Sequence, residues 1–300
     1  MSMHIFLTGG TGFIGQRLCR LLHQRGHQVS VYSRRSAEEV KALCGPVRPV
    51  DRLSALPGLG AMDAIVNLAG EGIAEKRWSE ARKQALRDSR VGLTEELVSH
   101  MRRCRQAPGV LVSGSAVGFY GDQGDQRVTE DTPPHDEFTH RMCADWENAA
   151  LGANDITRVC LSRTGLVVGP NGGFLDKMRL PFRLGVGGKL GPGTQYMPWI
   201  HLDDMALALL FLVETESASG PYNLTAPNPV TNAEFTKTLG RVLKRPTVLP
   251  APSLALKAGL GEMARLLLTG QNAVPERLLS AGFKFRYETL EPALQDAMKT

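Results

Sequence analysis

Along the chain, short apolar runs of β character alternate with longer stretches in which apolar residues recur every three or four positions. Met3-His4-Ile5-Phe6-Leu7 reads as a strand, and from Gln16 the pattern turns helical, with Leu18, Leu21 and Leu22 on one face. Gln28-Val29-Ser30-Val31-Tyr32 follows Gly26-His27 as a second strand, which completes a β-α-β unit of about thirty residues. A short helix and a weak strand around Val47 to Val50 are expected next, among Pro46, Pro49 and Pro57. Met62 to Asn67 is a further apolar strand. A long helical pattern runs from Trp78 to Arg105, with Leu93, Leu97 and Val98 on its apolar face, and Val110-Leu111-Val112 is the strand after it. A helix from about Phe138 to Leu151 and a strand from Thr157 to Leu161 continue the alternation. Strands and helices in this order predict an α/β fold of the Rossmann kind, a doubly wound parallel sheet.

Past Pro170 the pattern changes. Leu184 to Gly193 is a glycine-dense loop, Met197 to Met205 reads as a strand joining a helix capped by an Asp, and helices are expected to dominate from Pro221. We therefore expect a nucleotide-binding domain over residues 1–170 and a smaller C-terminal α/β substrate-binding and cap region over 171–300, with some later segments returning strands to the first sheet.

The junction of the first strand and helix carries the first candidate chemistry. Gly9-x-x-Gly12-x-x-Gly15 allows a tight turn, lets a pyrophosphate approach the backbone, and leaves room for the helix to pack on the strand. The helix N-terminus offers unpaired N–H groups to the phosphates, so Gly9, Thr11, Gly12, Phe13, Ile14 and Gly15 are the primary cofactor-binding candidates. The end of the second strand selects the cofactor. A carboxylate there would bond the ribose 2′-hydroxyl of NAD, but this chain has Ser33-Arg34-Arg35, which suits the 2′-phosphate of NADP and favours NADPH over NADH.

Other strand ends extend the list. Leu68-Ala69-Gly70 is expected against the cofactor through its backbone, Arg90 to reach the phosphates, and Val167 to complete the set. In Ser113 to Gly121 the hydroxyls of Ser115 and Tyr120 are placed to bond a substrate carbonyl or alcohol. The expected pocket is lined by Ser115, Tyr120, Gly185 to Gly188 and Trp199.

Composition narrows the alternatives. With 300 residues, 42% of them hydrophobic, the chain can bury a large core, and no apolar run is long enough to span a membrane. The opening residues lack signal-peptide character, so a cytoplasmic location is the expectation. Five cysteines without CxxC spacing suggest neither a disulfide framework nor a metal site. The net charge of +5 is modest, and its densest run, Arg102-Arg103-Cys104-Arg105, reads as a solvated helix end and not as a nucleic-acid patch. An anionic small molecule would suit this balance.

Thr8-Gly9-x-x-Gly12-x-x-Gly15, Asn67-Leu68-Ala69-Gly70, Ser113 to Gly121 and Trp199-Ile200-His201-x-x-Asp204 together resemble the extended short-chain dehydrogenase/reductase family, which includes the nucleotide-sugar epimerases. Pro181 to Gly188, Pro198 to His201 and the Pro275-to-Phe285 tail resemble its atypical branch of epimerase-family proteins, the SulA homologues. That resemblance implies NADP as cofactor and a small-molecule substrate of the nucleotide-sugar kind; substrate identity and oligomeric state stay open. It also exposes a departure. The family uses a tyrosine and a lysine four residues later as acid and helper, and the equivalent positions here hold Thr139 and Cys143. No Tyr-x-x-x-Lys occurs anywhere in the chain. Two readings follow: an NADP-dependent epimerase or reductase whose acid/base role has moved to Tyr120 or His140, with Ser115 orienting the substrate oxygen, or a non-catalytic NADP(H) sensor. His201 is expected to be structural, bonded within the corner between strand and helix.

Overall fold

A computed structural model describes residues 2–299. Its centre is a seven-stranded, wholly parallel sheet. The strands in chain order are β1 (His4–Thr8), β2 (Gln28–Tyr32), β3 (Arg48–Val50), β4 (Ala64–Asn67), β5 (Val110–Ala116), β6 (Arg158–Thr164) and β7 (Gly220–Leu224). In space they run β7-β6-β5-β4-β1-β2-β3, so the order reverses between β1 and β4. Ligands bind at the carboxyl ends of strands beside such a switch point.

Alternation along the strands builds the two faces. Ile5, Leu7, Val29, Val31, Ala64, Val66, Val110 and Val112 join one core with helices α1 (Phe13–Gln24) and α2 (Ala37–Cys44). Phe6, Ile65, Leu111, Val159 and Leu161 point the other way. That second face is covered by Leu97 and Met101, and by Ala150. The first two belong to a long helix made of α3 (Glu80–Arg87), a π turn (Asp88–Gly92) and α4 (Leu93–Met101), and the third to α5 (Phe138–Leu151). A third core gathers later elements, including Phe182 of α6 (Phe174–Arg183) and Trp199.

The chain past residue 170 returns to the first sheet twice. α7 (Leu202–Glu214) packs beside α1, and β7 closes the sheet next to β6. β7 lies where helices were expected from Pro221. Gly-Pro-Tyr-Asn-Leu gives little strand signal, and its proline is tolerated because an edge strand needs no N–H on its outer side. The opposite edge strand, β3, likewise contains a proline, Pro49. α7 is capped by His201, whose Nδ1 accepts the Asp203 N–H at 3.2 Å, and not by an aspartate. Asp203 pairs with Arg17 of α1, and Asp204 accepts the N–H groups of Arg286 and Tyr287.

The glycine turn after β1 is fixed by contact. Gly9 has φ +69°, and an added Cβ would lie 2.6 Å from the Leu68 carbonyl carbon; a Cβ on Gly15 would lie 2.3 Å from the Gly9 oxygen. We expect Gly15→Ala to lower stability by about 1–3 kcal/mol, as overpacking does. Gly259→Ala, in the helix Ser253–Leu260 with nothing near the new methyl, should leave stability equal or raise it by up to about 1 kcal/mol. Thermal unfolding of the two variants beside the wild type measures both.

Candidate active site at the strand ends

β1 and β4 end in two backbone turns that touch. Beneath them Thr8 Oγ1 donates to Asn67 Oδ1 at 2.6 Å and accepts the Ala69 N–H at 3.2 Å, which holds Leu68-Ala69-Gly70 in place. Asn67 Nδ2 in turn donates to Thr94 and Ser113. Of the three turn glycines, Gly12 is the exposed one; it forms the N-cap of α1 and provides no side-chain cap, and the first turn carries no acidic residue. The N–H groups that open α1 therefore face outward without a side-chain partner. Thr11 stands in this turn and accepts the Gln16 side-chain amide on its carbonyl. Ile14 packs on the first core. Phe13 lies against Gly172 and Gly173, where added Cβ atoms would meet its ring at 2.4 and 2.9 Å.

At the end of β2, Ser33 Oγ accepts the Arg35 N–H, and Arg35 lies 3.6 Å from Glu39. Arg34 is exposed and has no ion pair among the described residues. Arg90, in the π turn, lies over Gly70 and donates to the Glu71 and Leu86 carbonyls at 2.7 and 3.1 Å. Val167 is buried in a short ladder beside Ile200.

The proposed acid/base groups belong to a different construction. Arg163 and Glu147, both buried, form a two-pronged ion pair at 2.8 and 2.9 Å. Ser115 donates to Glu147 Oε1 at 2.7 Å. The Tyr120 hydroxyl donates to Asn223 Oδ1 at 2.7 Å and accepts from Arg163 at 3.0 Å. Burial pushes the Tyr120 phenol up to about 12, against the pull of Arg163. His140 donates through Nδ1 to the Phe119 carbonyl at 2.7 Å and sets its ring against Phe119. Ser115 and Tyr120 thus brace β5 against α5, β6 and β7.

A cavity of about 400 Å³ opens instead above Ala116 to Gly118, between Thr139 and Cys143 on one side and Thr164 to Leu166 on another. None of Ser115, Tyr120 and His140 lines it. Ile73, Ala74 and Trp78 add a further wall, and the C-terminal half contributes the rest, including Tyr196, Asn232, Arg265 and Gln271. Trp199, expected in the lining, is fully buried and donates to the Asn228 carbonyl. Gly187 and Gly188 line an adjoining groove. The cavity-lining tyrosine is Tyr196, which the sequence offered no reason to single out, because a lone tyrosine before Met-Pro-Trp has no motif around it.

Residues 5–225 match the model of the NAD dependent epimerase/dehydratase family. The chain belongs to that family. Residues 251–297 match a second model, a domain of unknown function numbered 1731. An epimerase family protein of Mycobacterium tuberculosis is 42% identical over 97% of this chain and 96% of its own length. The crystal structure of human epimerase family protein SDR39U1 (isoform 2) with NADPH superposes with a TM-score of 0.90 at 35% identity, covering 98% of this chain and 99% of that one. UDP-glucuronic acid 4-epimerase of Bacillus cereus, in complex with UDP-glucuronic acid and NAD, shares the fold at a TM-score of 0.79 and 16% identity, over 98% of each chain.

Within this family fold, Thr139 and Cys143 stand one helical turn apart on the cavity wall, where the resemblance places the tyrosine and lysine. Burial, reinforced by Glu147, pushes the Cys143 thiol up to about 12, so it stays protonated near neutrality. The cavity is closed by Arg265, Leu266, Leu267 and Gln271, all within the second matched segment.

Two outcomes follow for the buried network. Glu147→Ala leaves the Arg163 guanidinium buried without its carboxylate and should cost about 3–5 kcal/mol in denaturant unfolding. Glu130 accepts the N–H groups of Asn223 and Arg277 on Oε1, while its Oε2 has no partner. Burial raises its carboxyl above the ordinary 4.5. The native state then holds a proton that the unfolded state releases, so Glu130 lowers stability as pH rises from 4.5 through the raised value. Glu130→Gln should remove that loss: the stability difference between variant and wild type should grow across this window and stay constant below it.

Proposed function

We propose that the chain binds NADP(H) across the ends of β1, β2 and β4 and acts as an epimerase-like oxidoreductase on a small carbonyl or alcohol substrate held in the adjoining cavity. The observation that carries this reading is the pairing of an uncapped α1 N-terminus at exposed Gly12 with a β2 end that offers Arg34 and no carboxylate. The residues fit the dinucleotide. N–H groups at Phe13 and Ile14 would hold its pyrophosphate, Arg34 and Ser33 its 2′-phosphate, and Leu68 to Gly70 would lie along it through their backbone. Arg90 keeps that last turn in position. Human SDR39U1, whose crystal structure is with NADPH, supports the choice.

A bound nicotinamide supplies the donor or acceptor of hydride. Around it, Ala116 to Gly118 form the floor, Thr139 offers a hydroxyl to hold the substrate oxygen, and the protonated Cys143 closes the wall. Both halves of the chain contribute, which fits a cofactor portion over 1–170 and a substrate and cap portion over 171–300. Among the described residues no helix is long and apolar enough to cross a membrane, and a cytoplasmic location remains our proposal.

Thr139 and Cys143 also favour a second reading, a protein that binds NADP(H) without turning substrate over. Single-turnover hydride transfer to any carbonyl substrate, followed by loss of NADPH absorbance, excludes it.

The cofactor reading is tested by titrating nucleotide-free protein with NADPH and NADH. NADPH should bind about ten- to a hundredfold more tightly, and Arg34→Ala should erase that preference while leaving NADH affinity unchanged. Equal affinity of the wild type for both nucleotides would remove the 2′-phosphate assignment.

A further inference from the structure

The cavity does not end at its own walls. It shares Ala74, Leu190, Leu266 and Leu267 with a second hollow of about 470 Å³, which runs between α6, the glycine-dense loop and the segment around Leu249 to Ala251. Met178, Phe182, Val186, Leu249 and Met263 line that groove. Its rim is apolar too: Val186 and Leu249 are more than half exposed, and Leu180 and Leu184 nearby are about two-thirds exposed. So many large aliphatic side chains in water, contiguous with a cavity, mark a binding surface.

Charge points the same way. The charged side chains in the combined lining are Glu137, Glu262, Arg265 and Lys177, two carboxylates against two cations. Arg265 is held by Glu137 at 2.7 Å, and Lys177 donates to the Ala74 carbonyl at 2.8 Å. Glu262 pairs with Lys83, so Lys177 is the one cation of this lining without a carboxylate among the described residues, a single charge against the two of a diphosphate. One polar feature is unmet. Gln195, in the cavity wall and 9% exposed, gives its amide hydrogens to the carbonyls of Leu190 and Leu267, and its Oε1 has no partner. Turning the amide over would set its oxygen against two carbonyls, so the unmet atom is fixed as a buried acceptor beside the cavity.

We propose that the substrate taken at this site is an uncharged amphiphile, a hydroxyl or carbonyl head in the cavity with a hydrocarbon tail lying in the groove, and not a sugar nucleotide. This rests on the cavity being the substrate site of the oxidoreductase proposed above.

The test uses the full chain loaded with NADPH and the uncharged fluorophore N-phenyl-1-naphthylamine. Displacement by 1-butanol, 1-hexanol, 1-octanol and 1-decanol should tighten about fourfold per methylene until the groove is filled, and UDP-glucose should displace nothing. Val186→Asp and Leu249→Asp alter exposed positions and should flatten the chain-length series while NADPH affinity stays at the wild-type value. A flat series in the wild type, or displacement by UDP-glucose, overturns the proposal. So does sedimentation showing a wild-type oligomer that Val186→Asp dissociates, because the groove is then an interface between copies. Failure of NADPH to bind strikes the cofactor reading; normal NADPH binding with a flat series strikes the amphiphile alone.

Discussion

Two opposite charges, taken out of water together, tie α5 to the end of β6 and anchor the hydrogen bonds that reach the later part of the chain. Arg163 at the end of β6 and Glu147 on α5 sit where either charge alone would be buried at a cost, and each supports a further layer of hydrogen bonds. Through Ser115 the pair holds β5, and through Tyr120 and Asn223 it reaches β7 and the Val274 carbonyl. Arg163 also lies 3.5 Å from the centre of the Phe119 ring. Asn223 bonds the chain at Val274, three residues from cavity-lining Gln271, to this buried cluster.

That cluster already engages both strand-end hydroxyls. A phenol whose oxygen already donates to an amide and accepts from a guanidinium has no free direction toward a substrate. A serine hydroxyl that completes the coordination of a buried carboxylate is equally committed. The cavity lies one step further on, above Ala116 to Gly118, and is faced by different residues.

The parts of this arrangement that are local in sequence were legible there. The β1 turn announced itself because strand, glycines and helix are contiguous, and Leu68 to Gly70 because a strand end is visible in a hydrophobic run. Ser115 and Tyr120 were legible as hydroxyls at a strand end, but not in their roles, since their partners lie 32 and 103 residues further along the chain. Glu147 and Arg163 carry no mark in the pattern: an acid in a helix and a base in a strand look solvated until the fold buries both. The walls supplied by residues 251–297 were hidden for the same reason, because short helices with mixed polarity give no hint of which side faces a cavity.

The two prolines at the borders of the sheet have a consequence beyond the architecture. Pro49 and Pro221 each remove a donor from an outer strand, and Arg277 additionally occupies the Pro221 carbonyl. A sheet of seven strands buried on both faces is still a template at its two rims, and an unfolded neighbour could extend it. Here both rims lack part of the hydrogen-bonding ladder that such an addition requires. The two prolines therefore weigh against growth into aggregates by edge-to-edge pairing, and make side chains the readier means of association between copies.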